Sequence, residues 1–360
     1  MELKIYILKL SFRARRGICR CAGVLLILFF AFNIKAQDFH IAQYDVGSMH
    51  LNPALTGMYG DEKGDYRAYI DNRSQWGALG IRPYFTTYLA YDMPYKIKDK
   101  KIGLGAYFIH NNTGPANFNT TGFMVSGAYN ILDKAAEGQH YLTAGLQLGF
   151  FYKTFNTGGL SYDAQYNPTL SGGSFDANIS NNETSNNLGR FGFDSNLGIF
   201  YKYLDKSKKF HPFIGFTTMH LNRANISFIG ASDLLPIKFF VHGGADIKLN
   251  DKFDLTPRFL YGNQAGSYEV NIGLLCWYKL SSNFSMSNND WRLLLGVDYR
   301  YADAVIIHLG VKQDNYALRF SYDINASYLN NYTRGQGAWE ISLVYTGEKG
   351  KSFFKTMPKF

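Results

Sequence analysis

The feature that most constrains this chain is a repeated alternation of apolar and polar residues with a period of two. Such alternation is typical of β-strands whose two faces meet different environments, because successive side chains point to opposite faces. A clear example is the segment 316–324, where Arg319, Ser321 and Asp323 separate apolar residues. About fourteen such segments are present, and they begin near Asp65, Tyr84, Lys101, Phe118, His140, Arg190, Lys209, Ile237, Phe253, Ser267, Trp291, Asp303, Tyr316 and Ala338.

The lengths of the connections between these segments favour a barrel in a membrane. Odd-numbered connections are mostly long, and even-numbered ones are mostly short and charged, which is typical of long external loops and tight periplasmic turns. Two connections do not fit this pattern: Ser281–Asp290 is long for the periplasmic side, and Tyr301–Asp303 is short for the external side. We predict an all-β fold, a transmembrane antiparallel β-barrel of about fourteen strands within residues 64–347. A secreted β-sandwich or propeller is the alternative.

The first 36 residues have the pattern of a cleavable signal peptide. Basic residues precede the apolar stretch Val24–Phe32, which is shorter than the roughly 20 residues of a spanning helix, and Ala36 offers a small residue for cleavage. An N-terminal membrane anchor is the alternative. Cleavage would lower the formal net charge from +9 to +3, since the leader holds seven Lys or Arg residues and one acidic residue. Nucleic-acid binding then loses its main support, and the cell outer membrane is the expected location.

Few residues indicate catalytic or metal chemistry. Cys276 is the one cysteine after the leader, so neither an intramolecular disulfide nor a CxxC zinc site is expected. The chain has no HExxH or GxSxG motif, and its eight histidines are scattered. These residues indicate neither a catalytic nucleophile nor a cofactor site, and a lumenal Ser–His–carboxylate site stays open as an alternative. The polar connection Asn156–Gly189 is expected to be a solvated loop, with a calcium site at Asp163, Asp176 and Glu183 as the weaker alternative.

A short stretch ahead of the first strand is expected to form a capped turn. Asn52 suits a helix N-cap, Pro53 suits the following position, and Gly57 tolerates the positive φ that ends such a turn. We interpret residues 37–63 as an N-terminal hatch segment in or under the barrel, at its periplasmic mouth. A plain turn that leads into the first strand is the alternative. The candidate partner-binding residues of the hatch are Gln43, Tyr44, Asn52, Pro53, Ala54, Thr56 and Gly57.

Charged residues of both signs lie on the polar face of the predicted strands. In a barrel this face lines the lumen, where the charges form either a paired network or the lining of a conducting pore. Balanced signs favour pairing, because rings of a single sign are the usual device for ion selectivity. The candidates for this network are Arg73, Asp92, Asp298, Arg300, Arg319, Asp323 and Glu340.

Several short motifs follow one another in a specific order along the chain. They are Gln43-Tyr44, Asn52–Gly57, Asn72–Trp76, Tyr91-Asp92, Gly296–Arg300, Asp303–Val305, Ser321–Asp323, Gly337–Leu343 and Pro358–Phe360. In this order they resemble the PorP/SprF family of outer-membrane proteins from type IX secretion systems. Family members often carry Cys before the final Pro, where this chain has Met357.

The resemblance implies a non-enzymatic outer-membrane barrel that supports the secretion or surface anchoring of cargo, such as gliding-motility adhesins. The implied partners are outer-membrane lipid, the cargo protein or its C-terminal domain, and periplasmic ring and peptidoglycan-linked components of the secretion system. Residues 348–360 are expected to form a periplasmic tail. An outer-membrane transporter of hydrophobic small molecules is the alternative, since fatty-acid-transporter barrels also have an Asn-Pro-Ala hatch. An outer-membrane enzyme is the third hypothesis.

Overall fold

The computed structural model describes residues 38–58, 64–80, 82–97, 100–114, 117–132, 139–156, 160–170, 172–180, 187–205, 207–228, 230, 232–280 and 291–348. The expected signal peptide, and the expected C-terminal tail beyond Glu348, lie outside these residues. Within the described part of the chain, Phe39–Gln264 and the residues from Tyr268 onward form one compact unit. Asp38 and Ala265–Ser267 fall outside that unit.

Strands dominate the described residues, as the alternation predicts. In chain order they are β1 (Tyr66–Gln75), β2 (Tyr84–Ile97), β3 (Lys100–Thr113), β4 (Phe118–Asn130), β5 (His140–Asn156), β6 (Tyr166–Asn167), β7 (Ser174–Phe175), β8 (Asn187–Tyr203), β9 (Phe210–Met219), β10 (Lys238–Lys248), β11 (Phe253–Gln264), β12 (Ser267–Lys279), β13 (Trp291–Arg300), β14 (Ala304–Gln313), β15 (Tyr316–Asn325) and β16 (Gln336–Gly347). The helices are the single turns α1 (Ser48–Leu51) and α2 (Asn330–Thr333), with 3-10 turns at Pro53–Leu55, Gly77–Leu79 and Asp163–Gln165. In the described residues, no helix has the length and apolar character needed to span a bilayer.

Fourteen of these strands close into one antiparallel barrel, in which β1 pairs with β16. The other barrel strands pair with their neighbours in the chain, and β6 and β7 form a separate hairpin within the connection from β5 to β8. Each of the fourteen predicted strand starts lies within three residues of an observed one. The predicted fold, a closed antiparallel barrel of about fourteen strands, is therefore confirmed.

The connections alternate between two ends of the barrel. The first barrel strand begins and the last one ends at the same rim, where Tyr66 pairs with Gly347. We call this end the terminal rim, and it carries the connections 98–99, 131–139, 204–209, 249–252, 280–290 and 314–315. The opposite end, the loop rim, carries the connections 76–83, 114–117, 157–186, 220–237, 301–303 and 326–335, and the short connection 265–266 follows the loop-rim end of β11. Besides the two exceptions that the sequence analysis noted, 131–139 is also long for its side.

The two faces of the barrel wall have opposite character. Large apolar side chains point outward, and Leu295 and Ile272 are each 61% exposed. Inward positions carry buried polar and charged groups, and Asp298 and Glu340 are 0% exposed. This is the reverse of a soluble β-sandwich, because the apolar surface is outside, where only lipid can cover it. The closed barrel also pairs the backbone groups at the β1–β16 seam, as a lipid environment requires.

The outward position of Leu295 makes its burial in lipid testable. We expect Leu295→Lys to destabilise the barrel by about 2–4 kcal/mol in phospholipid vesicles, because a lysine near the bilayer midplane loses its hydration. The matched control is Leu249→Lys, since Leu249 is 50% exposed in a turn of the terminal rim. Urea unfolding in vesicles measures both variants. A small and equal effect of the two substitutions would contradict a lipid-facing outer surface.

Candidate functional site

The N-terminal segment Phe39–Met58, which we call the lumenal segment, lies inside the barrel. At its start His40 Nε2 is 3.4 Å from Arg73 Nη2, two residues from the loop-rim end of β1. At its end the Gly57 N–H donates to Asp92 Oδ2 at 2.6 Å, in the terminal-rim half of β2. The segment therefore passes through the lumen from one half to the other. The sequence analysis placed it in or under the barrel, at its periplasmic mouth, and the structure places it within the lumen.

The capped turn predicted at Asn52 is present in the lumenal segment. Asn52 has extended backbone angles and its Oδ1 accepts from the Ala54 N–H at 2.9 Å. Pro53 opens the 3-10 turn, and Thr56 Oγ1 donates to the Pro53 carbonyl at 2.8 Å. Gly57 follows with φ of 62°, a left-handed conformation that favours glycine. The motif thus encodes a compact turn with its hydrogen bonds satisfied internally.

Asn52 also binds the segment to the barrel wall. Its side-chain amide lies 3.0 Å from the Ile199 carbonyl and 3.4 Å from the Phe216 carbonyl, and 3.1 Å from His242 Nε2. These acceptors belong to three adjacent strands, β8, β9 and β10. Asn52 is 0% exposed, so removal of its amide would leave several buried acceptors short of a donor.

Side chains of the wall bind backbone groups along most of the lumenal segment. Glu340 accepts from the Ala42 and Gln43 N–H groups at 2.8 and 2.7 Å. Gln147 Nε2 donates to the Met49 carbonyl at 2.6 Å. Thr143 Oγ1 donates to the Ala54 carbonyl at 2.8 Å. Because these bonds are made to the backbone, they fix the path of the segment through the lumen.

A row of small residues forms the floor on which the turn lies. Gly103, Ala128, Gly145 and Gly198 are register partners across β3, β4, β5 and β8. A Cβ atom added to Gly145 would lie 2.2 Å from the carbonyl carbon of Pro53, and one added to Gly198 would lie 2.0 Å from Asn52 Oδ1. Larger residues there would expel the turn. The sequence analysis missed this row, although its signal is a Gly or Ala at inward positions of four neighbouring strands.

One cluster of charges joins the two ends of the barrel chain near the loop rim. Arg73 Nη2 is 2.7 Å from Asp323, and its Nη1 is 3.1 Å from Glu340. Arg300 pairs with the same Asp323 carboxylate. These four predicted lumenal residues are brought together, and Glu340 links them to the lumenal segment.

A second cluster is organised by Asp45 of the lumenal segment. Asp45 pairs with Arg258 at 2.7 Å and with Arg319 at 2.5 Å. Arg258 also binds Asp298 at 2.6 Å, and His308 Nε2 is 3.2 Å from the same carboxylate. The sequence analysis did not assign Asp45 or His308 to the network. Asp45 lies more than two hundred residues from both of its arginine partners, and His308 is one of eight histidines whose spacing marks no site.

The remaining predicted residues contact these clusters or form smaller ones. The Tyr44 ring lies 4.6 Å from the Arg258 guanidinium. Asp92 pairs with Arg67 at 2.8 Å beside the Gly57 N–H. Gln43 Oε1 accepts from Ser342 Oγ at 2.7 Å. All of the predicted hatch and network residues therefore lie in or against the lumen.

The surroundings of Asp45 and His40 determine their charge. Burial opposes the ionisation of Asp45, but Arg319 and Arg258 outweigh it and hold the pKa of this carboxyl well below its usual range. Burial lowers the pKa of His40 well below 6.5, and the nearby charges of Arg300 and Arg73 lower it further. At neutral pH Asp45 is thus charged and His40 is neutral. A guanidinium only donates hydrogen bonds, so neutral His40 accepts from Arg73.

The long polar connection between β5 and β8 forms local structure of its own. Its described residues include a 3-10 turn at Asp163–Gln165 and the β6–β7 hairpin, with Tyr166 paired to Phe175. Glu183, one of the three residues weighed for calcium, lies outside the described residues. In the part of the chain that the structure describes, no group of three His, Cys, Asp or Glu residues is placed to hold a metal ion.

Comparison with protein families gives one match over most of the chain. The family model described as "Type IX secretion system membrane protein PorP/SprF" matches residues 33–345. No curated protein matches.

Comparison with solved structures gives other barrels at low identity. The Pseudomonas putida toluene transporter TodX has 11% identity and a TM-score of 0.43, with 85% of this chain and 93% of that chain covered. The CymD monoaromatic hydrocarbon channel has 13% identity and a TM-score of 0.42, with 89% and 95% covered. The translocator domain of autotransporter NalP from Neisseria meningitidis has 9% identity and a TM-score of 0.43, with 84% and 96% covered. None of the three supplies an argument about this chain.

Substitution of Asp45 tests how strongly the lumenal segment holds the wall together. Asp45→Asn removes the charge that Arg258 and Arg319 share, so we expect a loss of about 1–3 kcal/mol in the free energy of unfolding. We place this below the usual cost of breaking a buried ion pair, because 37% of the Asp45 side chain is accessible. The matched control is Asp176→Asn in the loop hairpin, which should change little. Urea unfolding measures both, and equal stability of the two variants would contradict the role of Asp45.

Because His40 is neutral in the folded protein, the stability of the fold depends on pH. Its pKa is lower in the folded protein than in the unfolded chain, so protonation favours unfolding, and stability falls as the pH drops below about 6.5. Asp45 contributes stability that is lost only at more acidic pH, because its folded pKa lies below its usual value. We therefore expect His40→Gln to reduce the loss of stability between about pH 7.5 and pH 5. Unfolding curves across this range measure it, and an unchanged slope would contradict a neutral His40.

Proposed function

Because the chain belongs to the type IX secretion system membrane protein PorP/SprF family, we propose that it is a closed outer-membrane barrel that supports the secretion or surface anchoring of a cargo protein, such as an adhesin. In this proposal the protein is not an enzyme. The loop rim faces the cell exterior, and the terminal rim faces periplasmic components of the secretion system. The cargo or its C-terminal domain is the partner that the barrel serves.

The observation that carries this proposal is the occupied lumen. The side chains of Glu340, Gln147 and Thr143 make hydrogen bonds with the backbone of the lumenal segment, and Asp45 of the segment forms ion pairs with the wall. A lumen filled in this way suits a fixed scaffold that presents loops and turns to other proteins. It suits a diffusion channel less well, because transport would require many polar contacts to break together.

The alternative function is transport of hydrophobic small molecules, as expected for a fatty-acid-transporter-like barrel. Its support is limited to the position of the Asn-Pro-Ala turn inside the lumen. The buried charges that surround the segment, such as Asp298 and Glu340, are a poor path for an apolar molecule, since such groups need polar partners. Scaffolding of cargo secretion therefore remains the favoured function.

Deletion of the gene tests the proposed function. We expect at least one surface protein to disappear from the cell surface and to accumulate inside the cell, while other outer-membrane proteins keep their amounts. Surface biotinylation followed by mass spectrometry measures this, and a plasmid-borne wild-type copy should restore display. Unchanged display of all surface proteins would contradict the proposal. Uptake of hydrophobic molecules by the purified barrel in vesicles would favour the transporter instead.

Epitopes inserted into the plasmid-borne copy test the orientation of the barrel in the outer membrane. An epitope inserted between Gly172 and Gly173, next to β7 on the loop-rim side, should be reached by antibody on intact cells. An epitope after Asp251, in a turn of the terminal rim, should be reached only after the outer membrane is permeabilised. The reverse pattern would show that the two rims face the opposite way.

A further inference from the structure

Three cations lie side by side where β12, β13 and β14 reach the terminal rim. Lys279 is the register partner of Arg292, and Arg292 is the register partner of Lys312. Directly opposite residues of antiparallel strands share one face, with Cβ atoms about 4.5–5.5 Å apart. Lys279, Arg292 and Lys312 therefore form a continuous line, which we call the cationic row.

The pleat of the strands places the cationic row on the lumenal side of the rim. The adjacent line of register partners is Tyr278, Leu293 and Val311. Leu293 is 42% exposed and belongs to the apolar outer surface. Since neighbouring residues of a strand point to opposite faces, the cationic row points toward the mouth of the barrel and away from lipid.

The row has an electrostatic cost within the barrel itself. Like charges on directly opposite residues destabilise a sheet, and here three cations follow one another across three strands. Arg292 pairs with Asp254 at 3.4 Å, but both side chains are more than a third exposed. An exposed pair of this kind contributes little to stability.

Lysines concentrate around the same rim. Of the twelve lysines that the described residues contain, Lys153 and Lys238 lie toward the loop rim. The other ten lie at strand ends or in turns of the terminal rim: Lys96, Lys100, Lys101, Lys202, Lys208, Lys209, Lys248, Lys252, Lys279 and Lys312. The acidic residues described at strand ends and in turns of the same rim are fewer: Asp65, Asp205, Asp246, Asp251, Asp254, Asp314 and Glu348. The cationic row is therefore part of a wider surface on which basic residues outnumber acidic ones.

We propose that the cationic row and the neighbouring lysines form a docking surface for an acidic surface of a partner protein at the terminal rim. This inference rests on the proposed function, which assigns that rim to the periplasm. Lipid headgroups are the other anionic surface near a barrel rim, but they surround its outer perimeter, and the row faces the mouth. The lumenal segment occupies the barrel interior, so the partner docks at the mouth without passing through.

Binding of an acidic probe to the purified full-length protein tests this inference. The probe is fluorescein-labelled poly-L-glutamate, and fluorescence anisotropy in nanodiscs of neutral lipid measures its Kd. We expect Lys279→Gln/Arg292→Gln/Lys312→Gln to weaken binding about 10-fold or more at low salt. The matched control at the loop rim, Arg82→Gln/Arg223→Gln/Arg334→Gln, removes the same charge and should change the Kd less than about 2-fold. Raising the salt from about 50 to about 500 mM should abolish binding by the wild-type protein.

A second variant keeps the test decisive if the row variant does not fold. Lys208→Gln/Lys209→Gln/Lys252→Gln alters only exposed residues at turns of the terminal rim, and we expect about 3-fold weaker binding of poly-L-glutamate. Equal weakening by the terminal-rim and loop-rim variants would overturn the inference. So would an intact Kd for poly-L-glutamate combined with lost binding to phosphatidylglycerol vesicles, which would assign the row to lipid.

Gene deletion and the row variant, compared in cells, distinguish this inference from the proposed function. If gene deletion abolishes display of a surface protein and the row variant does the same at normal barrel levels, the docking surface is supported. If deletion abolishes display but the row variant restores it as well as the wild type does, the docking surface is overturned while the proposed function stands. If deletion leaves display unchanged, both are overturned.

Discussion

The ion pairs that Asp45 makes with Arg258 and Arg319 are the interaction on which the interior of this barrel depends. Arg258 comes from β11 and Arg319 from β15, so a single carboxylate of the lumenal segment links distant parts of the wall. Without it Arg258 and Arg319 would lose a shared counterion, although Arg258 would keep its pair with Asp298, and the loss of a counterion in a low-dielectric interior is expensive. The barrel wall and the lumenal segment therefore belong to one compact unit, in which many polar contacts hold the segment in place.

Because of these contacts, a conducting pore is a poor description of the lumen. The glycine floor at Gly103, Gly145 and Gly198 admits the backbone of the Asn52 turn at distances that no side chain would tolerate. Wall side chains then bind the backbone of the segment, and paired charges fill the remaining space. Under the proposed function, other proteins contact the two rims, which differ in loop length and in lysine content. A scaffold in a secretion system needs such rims more than it needs a passage.

Much of this fold was predictable from the sequence, because every strand of a membrane barrel alternates apolar residues that face lipid with polar residues that face the lumen. Alternation identified the fourteen barrel strands and separated lipid-facing Leu295 from lumenal Asp298. The turn at Asn52 was predictable because its capping bonds are local. The pairing of Asp45 was not, since its partners lie more than two hundred residues away. The glycine floor also escaped prediction, because it exists only once the register of β3, β4, β5 and β8 is known.

A disulfide between the lumenal segment and the wall tests the central claim most directly. Thr56 Oγ1 and Ser126 Oγ are 2.5 Å apart, so Thr56→Cys/Ser126→Cys, in a background with Cys276→Ser, places two thiols next to each other. The account predicts near-complete disulfide formation in isolated outer membranes, detected as a mobility shift that a reductant reverses. Thr56→Cys with Ser321→Cys should form none, because Ser321 contacts Gln43 at the other end of the segment. A folded barrel in which the first pair stays reduced under oxidising conditions would contradict the presence of the segment in the lumen.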